Sequence, residues 1–145
     1  MREMDESLIA NWNECVKPGD TVYHLGDFCL GNDPLRVFRR LNGNKHLCLG
    51  NHDKPKTVAK APFAWIKDTY LLKIGKEIRI WLSHYAHRRW PHSHHGAIHL
   101  YGHSHSRLPD YGRSTDVGVD AWNYKPVHLD TILKIMEKRE RTDHH

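Results

Sequence analysis

The chain has 145 residues and a formal net charge of +5 at pH 7, and 39% of its residues are hydrophobic. Its length predicts one domain, which we expect over residues 1–143, because His144-His145 could be the remnant of a tag. There is no run of about 18 apolar residues and no apolar signal-peptide core, so we expect a cytoplasmic protein without a membrane span. The positive charge favours anionic partners without identifying one.

Hydrophobic periodicity predicts helices and strands in alternation along the chain. Helices are predicted over residues 4–16, 34–41 and 129–141, and residues 57–62 fit either a helix or a loop. Strands are predicted over residues 21–25, 45–49, 68–74, 77–83, 97–101 and 114–119. Gly75-Lys76 indicates a hairpin between two of these strands, whereas residues 85–96 are predicted as a polar loop rich in histidine and arginine. The pattern indicates an α/β fold with a mixed sheet.

Four predicted strands end in the same way, with an apolar run, a small residue and then Asp, Asn or His. These segments are Tyr23-His24-Leu25-Gly26-Asp27, Leu47-Cys48-Leu49-Gly50-Asn51-His52-Asp53, Ile80-Trp81-Leu82-Ser83-His84 and His99-Leu100-Tyr101-Gly102-His103. In open α/β sheets ligands bind at the carboxyl ends of strands, and glycine there lets the backbone turn sharply. We therefore expect one cluster of nitrogen and oxygen ligands, which suits a divalent ion. Its members are Asp27, Asn51, His84, His103 and His105.

These segments also carry a resemblance to a known family. In chain order the blocks are Gly26-Asp27, Gly50-Asn51-His52-Asp53, His84 and Gly102-His103-Ser104-His105. They resemble the calcineurin-like metallophosphoesterases, in particular the small bacterial and phage phosphoesterases. The resemblance implies an αββα two-sheet sandwich and one or two divalent ions, with manganese favoured over iron, zinc or nickel. It also implies hydrolysis of phosphoester bonds in a small phosphorylated substrate.

One block of the family pattern, Asp-x-His on the first strand, has no match before Asp27. Neither Asp5 nor Asp20 is followed by histidine two residues later. We therefore expect the sandwich to lack that strand, either because the sequence starts late or because the protein is a natural one-metal variant. By the resemblance, the first ion keeps only Asp27 and His105 as ligands. The second ion keeps a full set of four, namely Asp27, Asn51, His84 and His103.

The resemblance further implies roles in the reaction. A metal-activated water would attack phosphorus, with Asp27 bridging the two ions. His52 matches the family's general acid, which protonates the leaving alkoxide, and imidazole suits this task because its pKa lies near neutrality. Arg88 and Arg89 follow the His84 block, and they are either substrate-binding residues or ordinary surface charge.

Several residues have a plainer interpretation beside the functional one. A lone Gly-Asp or Asn-His-Asp segment is usually a turn, and Asp53 is either a turn residue or a residue that orients a ligand. His24 and His99 precede their glycines and are expected to pack or to form hydrogen bonds. Trp90 is more often a core residue than a stacking surface. A solvated loop, or adventitious metal binding, accounts for His87, His92, His94 and His95.

Two other functions remain open. One is a metal-free interaction scaffold on the same fold, which the missing Asp-x-His block favours and the intact second ligand set opposes. The other is a manganese-dependent nuclease, which shares the motifs. Nucleic acid is the less favoured partner, because the basic residues are spread out and form no groove-sized tract.

Overall fold

The computed structural model describes residues 2–26, 34–50, 53–102, 110, 112–118 and 125–139. These residues form a mixed α/β fold with two sheets and four α-helices. The helices are α1 (Arg2–Cys15), α2 (Pro34–Arg40), α3 (Pro55–Val58) and α4 (Leu129–Glu137). The strands are β1 (Thr21–His24), β2 (Asn44–Cys48), β3 (Ile66–Lys67), β4 (Thr69–Ile74), β5 (Ile78–Ser83), β6 (Ile98–Tyr101) and β7 (Ser114–Asp116). None of the described helices has the length and apolar character needed to cross a bilayer.

The first sheet has the strand order β1-β2-β3, and all of its neighbours are parallel. Strand β3 was not predicted, because its two residues are too short to show any periodicity. It is recognised by backbone pairing, in which the Leu47 N–H donates to the Trp65 carbonyl (3.0 Å) and the Leu49 N–H to the Lys67 carbonyl (2.9 Å). Since the strands are parallel, their carboxyl ends lie at one edge of the sheet.

The second sheet has the strand order β4-β5-β6-β7. Strands β4 and β5 form the predicted hairpin, and Gly75 takes the positive φ of +62° that its turn requires. Strand β6 is parallel to both β5 and β7. The carboxyl ends of β5, β6 and β7 therefore share one edge, as those of β1 and β2 do in the first sheet.

One hydrophobic core joins the two sheets. Its buried members come from the first sheet, the second sheet and α4: Leu25, Cys48, Ile80, Leu82, Ile98, Leu100, Ile132 and Met136. Helix α4 contributes its apolar face, and Ile132 and Met136 are each only 1% exposed. Burial of apolar side chains from both sheets is the main favourable term in holding them together.

A second cluster attaches α1 to the segment between α2 and β2. Ile9, Trp12 and Val16 lie at helical spacing on one face of the chain and pack with Leu41. The Trp12 indole N–H donates to the Asn42 carbonyl at 2.9 Å. These contacts hold the turn that leads into β2, and so they fix where β2 begins.

Helix α4 ends at Glu137, short of the predicted end at residue 141. The Arg139 guanidinium turns back to donate to the Ser114 carbonyl (2.6 Å) and to pair with the Asp110 carboxylate (2.8 Å). These bonds tie the chain after the helix to β7, so the helix stops earlier than the sequence pattern suggested. Residues 140 and 141 lie outside the described part of the chain.

Candidate functional site

Four strand ends from the two sheets meet at one place. The His84 imidazole, directly after β5, donates from Nδ1 to the Leu25 carbonyl after β1 at 2.7 Å. The Gly102 N–H, directly after β6, donates to the His84 carbonyl at 3.1 Å. Gly50, after β2, comes close to Gly26. The expected convergence of these strand ends is therefore present in the described residues.

The glycines at these ends leave no room for a side chain. Gly26 has a φ of +105°, and a Cβ atom built on it would lie 2.1 Å from His84 Nδ1 and 2.9 Å from the Gly50 Cα. A Cβ atom on Gly102 would lie 3.0 Å from the Leu25 carbonyl oxygen. Glycine precedes the candidate ligands because only a bare backbone permits this approach.

His84 is held in one orientation and one tautomer. Its side chain is buried, with 2% of its surface exposed. Because the Leu25 carbonyl can only accept a hydrogen bond, Nδ1 carries the proton, and the lone pair of the neutral imidazole is on Nε2. Histidines that bind metals usually donate their other ring N–H to a carboxylate, a backbone carbonyl or water, and the bond of His84 to the Leu25 carbonyl is of this kind.

The described ends of the Gly-Asn-His-Asp segment are tied together. The Gly50 N–H donates to the Asp53 carboxylate at 2.8 Å, and the Asp53 N–H donates to the Gly50 carbonyl at 3.2 Å. Asp53 is 7% exposed. Of the two interpretations of Asp53, these contacts support the turn residue.

Most of the predicted site residues lie outside the described part of the chain. These are the candidate ligands Asp27, Asn51, His103 and His105 and the candidate general acid His52. Among the residues that are described, no group of three or more His, Cys, Asp or Glu could hold a metal ion. What the described residues provide is His84 and the backbone positions next to the others, namely Gly26, Gly50 and Gly102.

The loop after His84 combines exposed and buried residues. Arg88 and Arg89 are exposed, as a substrate-binding role would require. Trp90 is only 5% exposed, and its indole N–H donates to the Ala97 carbonyl at 2.8 Å. The interpretation of Trp90 as a core residue is confirmed, and it anchors the loop next to the two arginines.

His99 anchors the same loop from within β6. It is fully buried, and its Nε2 accepts from the His87 backbone N–H at 2.9 Å. Its Nδ1 therefore carries the proton, which it donates to the Trp81 carbonyl at 3.0 Å. Burial lowers the pKa of His99 to about 4, so the ring is neutral at physiological pH. The prediction that His99 packs and forms hydrogen bonds is confirmed.

His87 differs from the other loop histidines, and its grouping with them as solvated was wrong. Its Nδ1 accepts from the Trp81 indole N–H at 3.2 Å, so Nε2 carries the proton and donates to Ser83 Oγ at 3.3 Å. Ser83 Oγ also accepts from the Tyr85 N–H at 3.2 Å. A set of exposed histidines remains as predicted, namely His92, His94 and His95.

Two residues of this region were missed by sequence reasoning. Asp116 is 4% exposed at the end of β7, next to Tyr101 in register, and its carboxylate accepts from the Gly118 N–H at 2.7 Å. Tyr85 directly follows His84 and is 45% exposed. Asp116 could have been found from its place in a predicted strand, and Tyr85 from its place directly after a candidate ligand.

Fold and site together define a mixed α/β protein of two sheets whose strand ends converge on a candidate ligand site. No family model matches the chain. It is 32% identical over 149 residues to the uncharacterized protein MJ1445 of Methanocaldococcus jannaschii, with 95% of this chain and 78% of that protein covered. It is 30% identical over 169 residues to the gene 66 protein of Mycobacterium phage D29, with 94% and 84% covered. The chain therefore belongs to the family that includes MJ1445 and this phage protein.

A solved structure has a similar fold. The crystal structure of AQ665 from Aquifex aeolicus, a protein of unknown function, superposes with a TM-score of 0.70 at 27% sequence identity. The match covers 93% of this chain and 86% of the other. The fold of this chain is thus similar overall to that of an experimentally determined protein.

Proposed function

We propose that the protein is a metal-dependent phosphoester hydrolase of the calcineurin-like metallophosphoesterase type, acting on small phosphodiesters or phosphomonoesters. The observation that carries the proposal is the meeting of Leu25-Gly26, Gly50, His84 and Gly102 at one place. Each of these positions either is a candidate metal ligand or directly precedes one in the sequence. Turn motifs after parallel strands share an edge within any one sheet, but here the edges of two different sheets are joined by the bond from His84 to the Leu25 carbonyl.

The finer architecture that we propose is the αββα sandwich of that type. Two sheets that share one core, with α1 on the first sheet's side and α4 contributing Ile132 and Met136 to the core, support it. The ligand site of such a sandwich lies where the carboxyl ends of the strands meet.

The donor set fits a divalent metal ion. His84, with its proton held on Nδ1 by the Leu25 carbonyl, would bind through Nε2, together with Asp27, Asn51 and His103. A second ion would share Asp27 and use His105. Imidazole, carboxylate and amide ligands suit manganese and also iron, zinc or nickel. When bound, such ions supply polarisation of the phosphoryl oxygen and activation of water.

The chain's own residues supply the remaining chemistry. His52 would donate a proton to the leaving oxygen, for which an imidazole is suited near neutral pH. Arg88 and Arg89 would bind non-bridging phosphate oxygens through their guanidinium groups, which match the geometry of phosphate. The Leu25 carbonyl would keep His84 oriented, so that little reorganisation is needed when substrate binds.

The test combines metal analysis with hydrolysis. The protein is stripped with chelator, loaded with Mn²⁺ and assayed on p-nitrophenyl phosphodiesters, beside His84→Ala and the exposed-loop control His95→Ala. We expect the parent and His95→Ala to bind at least one ion per chain and to release p-nitrophenolate, and His84→Ala to do neither. A His84→Ala variant that keeps both metal and rate would show the assignment to be wrong.

The metal-free interaction scaffold, which the sequence leaves open as an alternative, is the second candidate, and the same experiment separates the two functions. Near-stoichiometric metal in the purified protein would reject the scaffold, whereas a parent chain that binds no Mn²⁺ would favour it.

A further inference from the structure

Tyr85 stands out at the rim of the candidate site. Among the described residues it is the one large hydrophobic side chain that is exposed, at 45%, and it directly follows His84, which is 2% exposed. Its ring lies edge-on to the His84 imidazole, with centroids 4.9 Å apart and planes at 80°. The chain thus passes within one residue from a buried candidate ligand to an aromatic surface presented to solvent.

The backbone at Tyr85 is fixed on the side of the core. Its N–H donates to Ser83 Oγ, which also accepts from His87 Nε2. His87 is held in turn by the Trp81 indole and by the buried ring of His99. An aromatic side chain on a fixed backbone loses little conformational freedom when a ligand stacks on it, and this favours binding.

Positive charge follows a short distance along the same loop. Arg88 and Arg89 are both exposed. Guanidinium groups bind phosphate oxygens, and tyrosine rings stack on nucleobases and other aromatic groups. Together, the proposed phosphate site, an exposed aromatic ring and guanidinium groups match a ligand in which an aromatic group is joined to a phosphate.

We propose that Tyr85 is a specificity-determining residue that stacks on an aromatic group of the ester arm that stays on phosphorus when the scissile bond breaks. The preferred substrates are then phosphodiesters whose retained arm is a nucleobase-like or phenyl group, rather than an aliphatic one. This inference rests on the proposed hydrolase function and adds the substrate class to it.

The test uses two diesters with the same leaving group, phenyl p-nitrophenyl phosphate and methyl p-nitrophenyl phosphate. Hydrolysis adds water across the phosphorus–oxygen bond and releases p-nitrophenolate with phenyl or methyl phosphate. The measured quantity is the ratio of kcat/KM for the phenyl diester to that for the methyl diester. We expect the ratio to fall by about 5-fold or more in Tyr85→Leu, mainly through KM, and to be retained in Tyr85→Phe. The control His95→Ala should leave the ratio and both rates unchanged.

A binding measurement gives a second readout that does not depend on turnover. Calorimetry of the Mn²⁺-loaded parent and Tyr85→Leu with phenylphosphonate and methylphosphonate, which have no ester bond to hydrolyse, should show the same loss of preference, at equal metal content. If the phenyl-to-methyl ratios of kcat/KM and of binding affinity are both unchanged in Tyr85→Leu while hydrolysis persists, the Tyr85 inference is overturned and the hydrolase proposal stands. If the Mn²⁺-loaded parent hydrolyses neither diester, both are overturned.

Discussion

Replacing Gly26 with alanine tests the close approach of the strand ends. The new Cβ atom would lie 2.1 Å from His84 Nδ1 and 2.9 Å from the Gly50 Cα, so one of these groups must move. His84 cannot move easily, because it is buried and bonded to the Leu25 carbonyl. Forcing extra volume into a packed site costs about 1–3 kcal/mol, and a non-glycine residue at this φ costs about 1–3 kcal/mol more. We therefore expect the free energy of unfolding to fall by about 2–6 kcal/mol.

Two other glycines provide matched controls. Gly75 has a φ of +62° but open space around its Cβ position, so Gly75→Ala should cost only the backbone strain, about 1–2 kcal/mol. Gly19 has neither a positive φ nor a neighbour within 4 Å, and alanine there should be neutral or stabilise by up to about 1 kcal/mol. The difference between Gly26→Ala and Gly75→Ala reports the steric contribution of the site, together with any difference in backbone strain between a φ of +105° and one of +62°.

Urea unfolding of the three variants, followed by tryptophan fluorescence, measures these free energies. Mn²⁺ affinity measured on the same samples should drop only for Gly26→Ala, because the His84 ring must shift to admit the methyl group. If Gly26→Ala is no less stable than Gly75→Ala, the packing of Gly26 on His84 is not as described.

The remaining predictions concern two histidines. Replacing His52 with alanine should slow hydrolysis of alkyl esters about 10²–10⁴-fold more than that of p-nitrophenyl esters, at unchanged metal content, because only a poor leaving group needs a proton. An equal loss for both esters would instead mean that His52 positions phosphate or metal. Burial lowers the pKa of His99 from 6.5 to about 4, so on acidification the unfolded chain takes up a proton first, and unfolding becomes easier between these two pH values. The free energy of unfolding should fall by about 3 kcal/mol from this cause. If the free energy of unfolding depends on pH in the same way in the parent and in His99→Gln, His99 is not the cause of this loss.

Much of the fold followed from local patterns in the sequence. The hairpin around Gly75 and the amphipathic face of α4 are encoded in residues close together in the chain, and both were found. The convergence of strand ends followed from a general property of parallel strands, which bring their carboxyl ends to one edge. Strand β3 escaped prediction because its pairing with β2 lies in backbone hydrogen bonds, to which side-chain type contributes little.

The loop after β5 could not be predicted, because its order comes from partners that the sequence does not identify. His87 has the same residue type and nearly the same polar surroundings in sequence as His92, yet His87 is tied to an indole and a hydroxyl while His92 is exposed. The difference arises from the Trp81 side chain on β5, whose indole N–H reaches the loop. Tertiary position decides which histidine becomes structural.

For His84 and His99, position along a strand predicts the role of each histidine without knowledge of its tertiary partners. Both are buried, but His99 lies within β6, where it uses both ring nitrogens inside the protein. It could bind a metal only by giving up one of those bonds. His84 follows the last residue of β5 and donates from Nδ1 to a carbonyl of the other sheet. A residue inside a strand is committed to a face of its sheet, whereas a residue just past the end lies at the edge where ligands bind. Placement after the strand, rather than histidine as a residue type, is therefore what makes His84 a candidate ligand and His99 a structural residue.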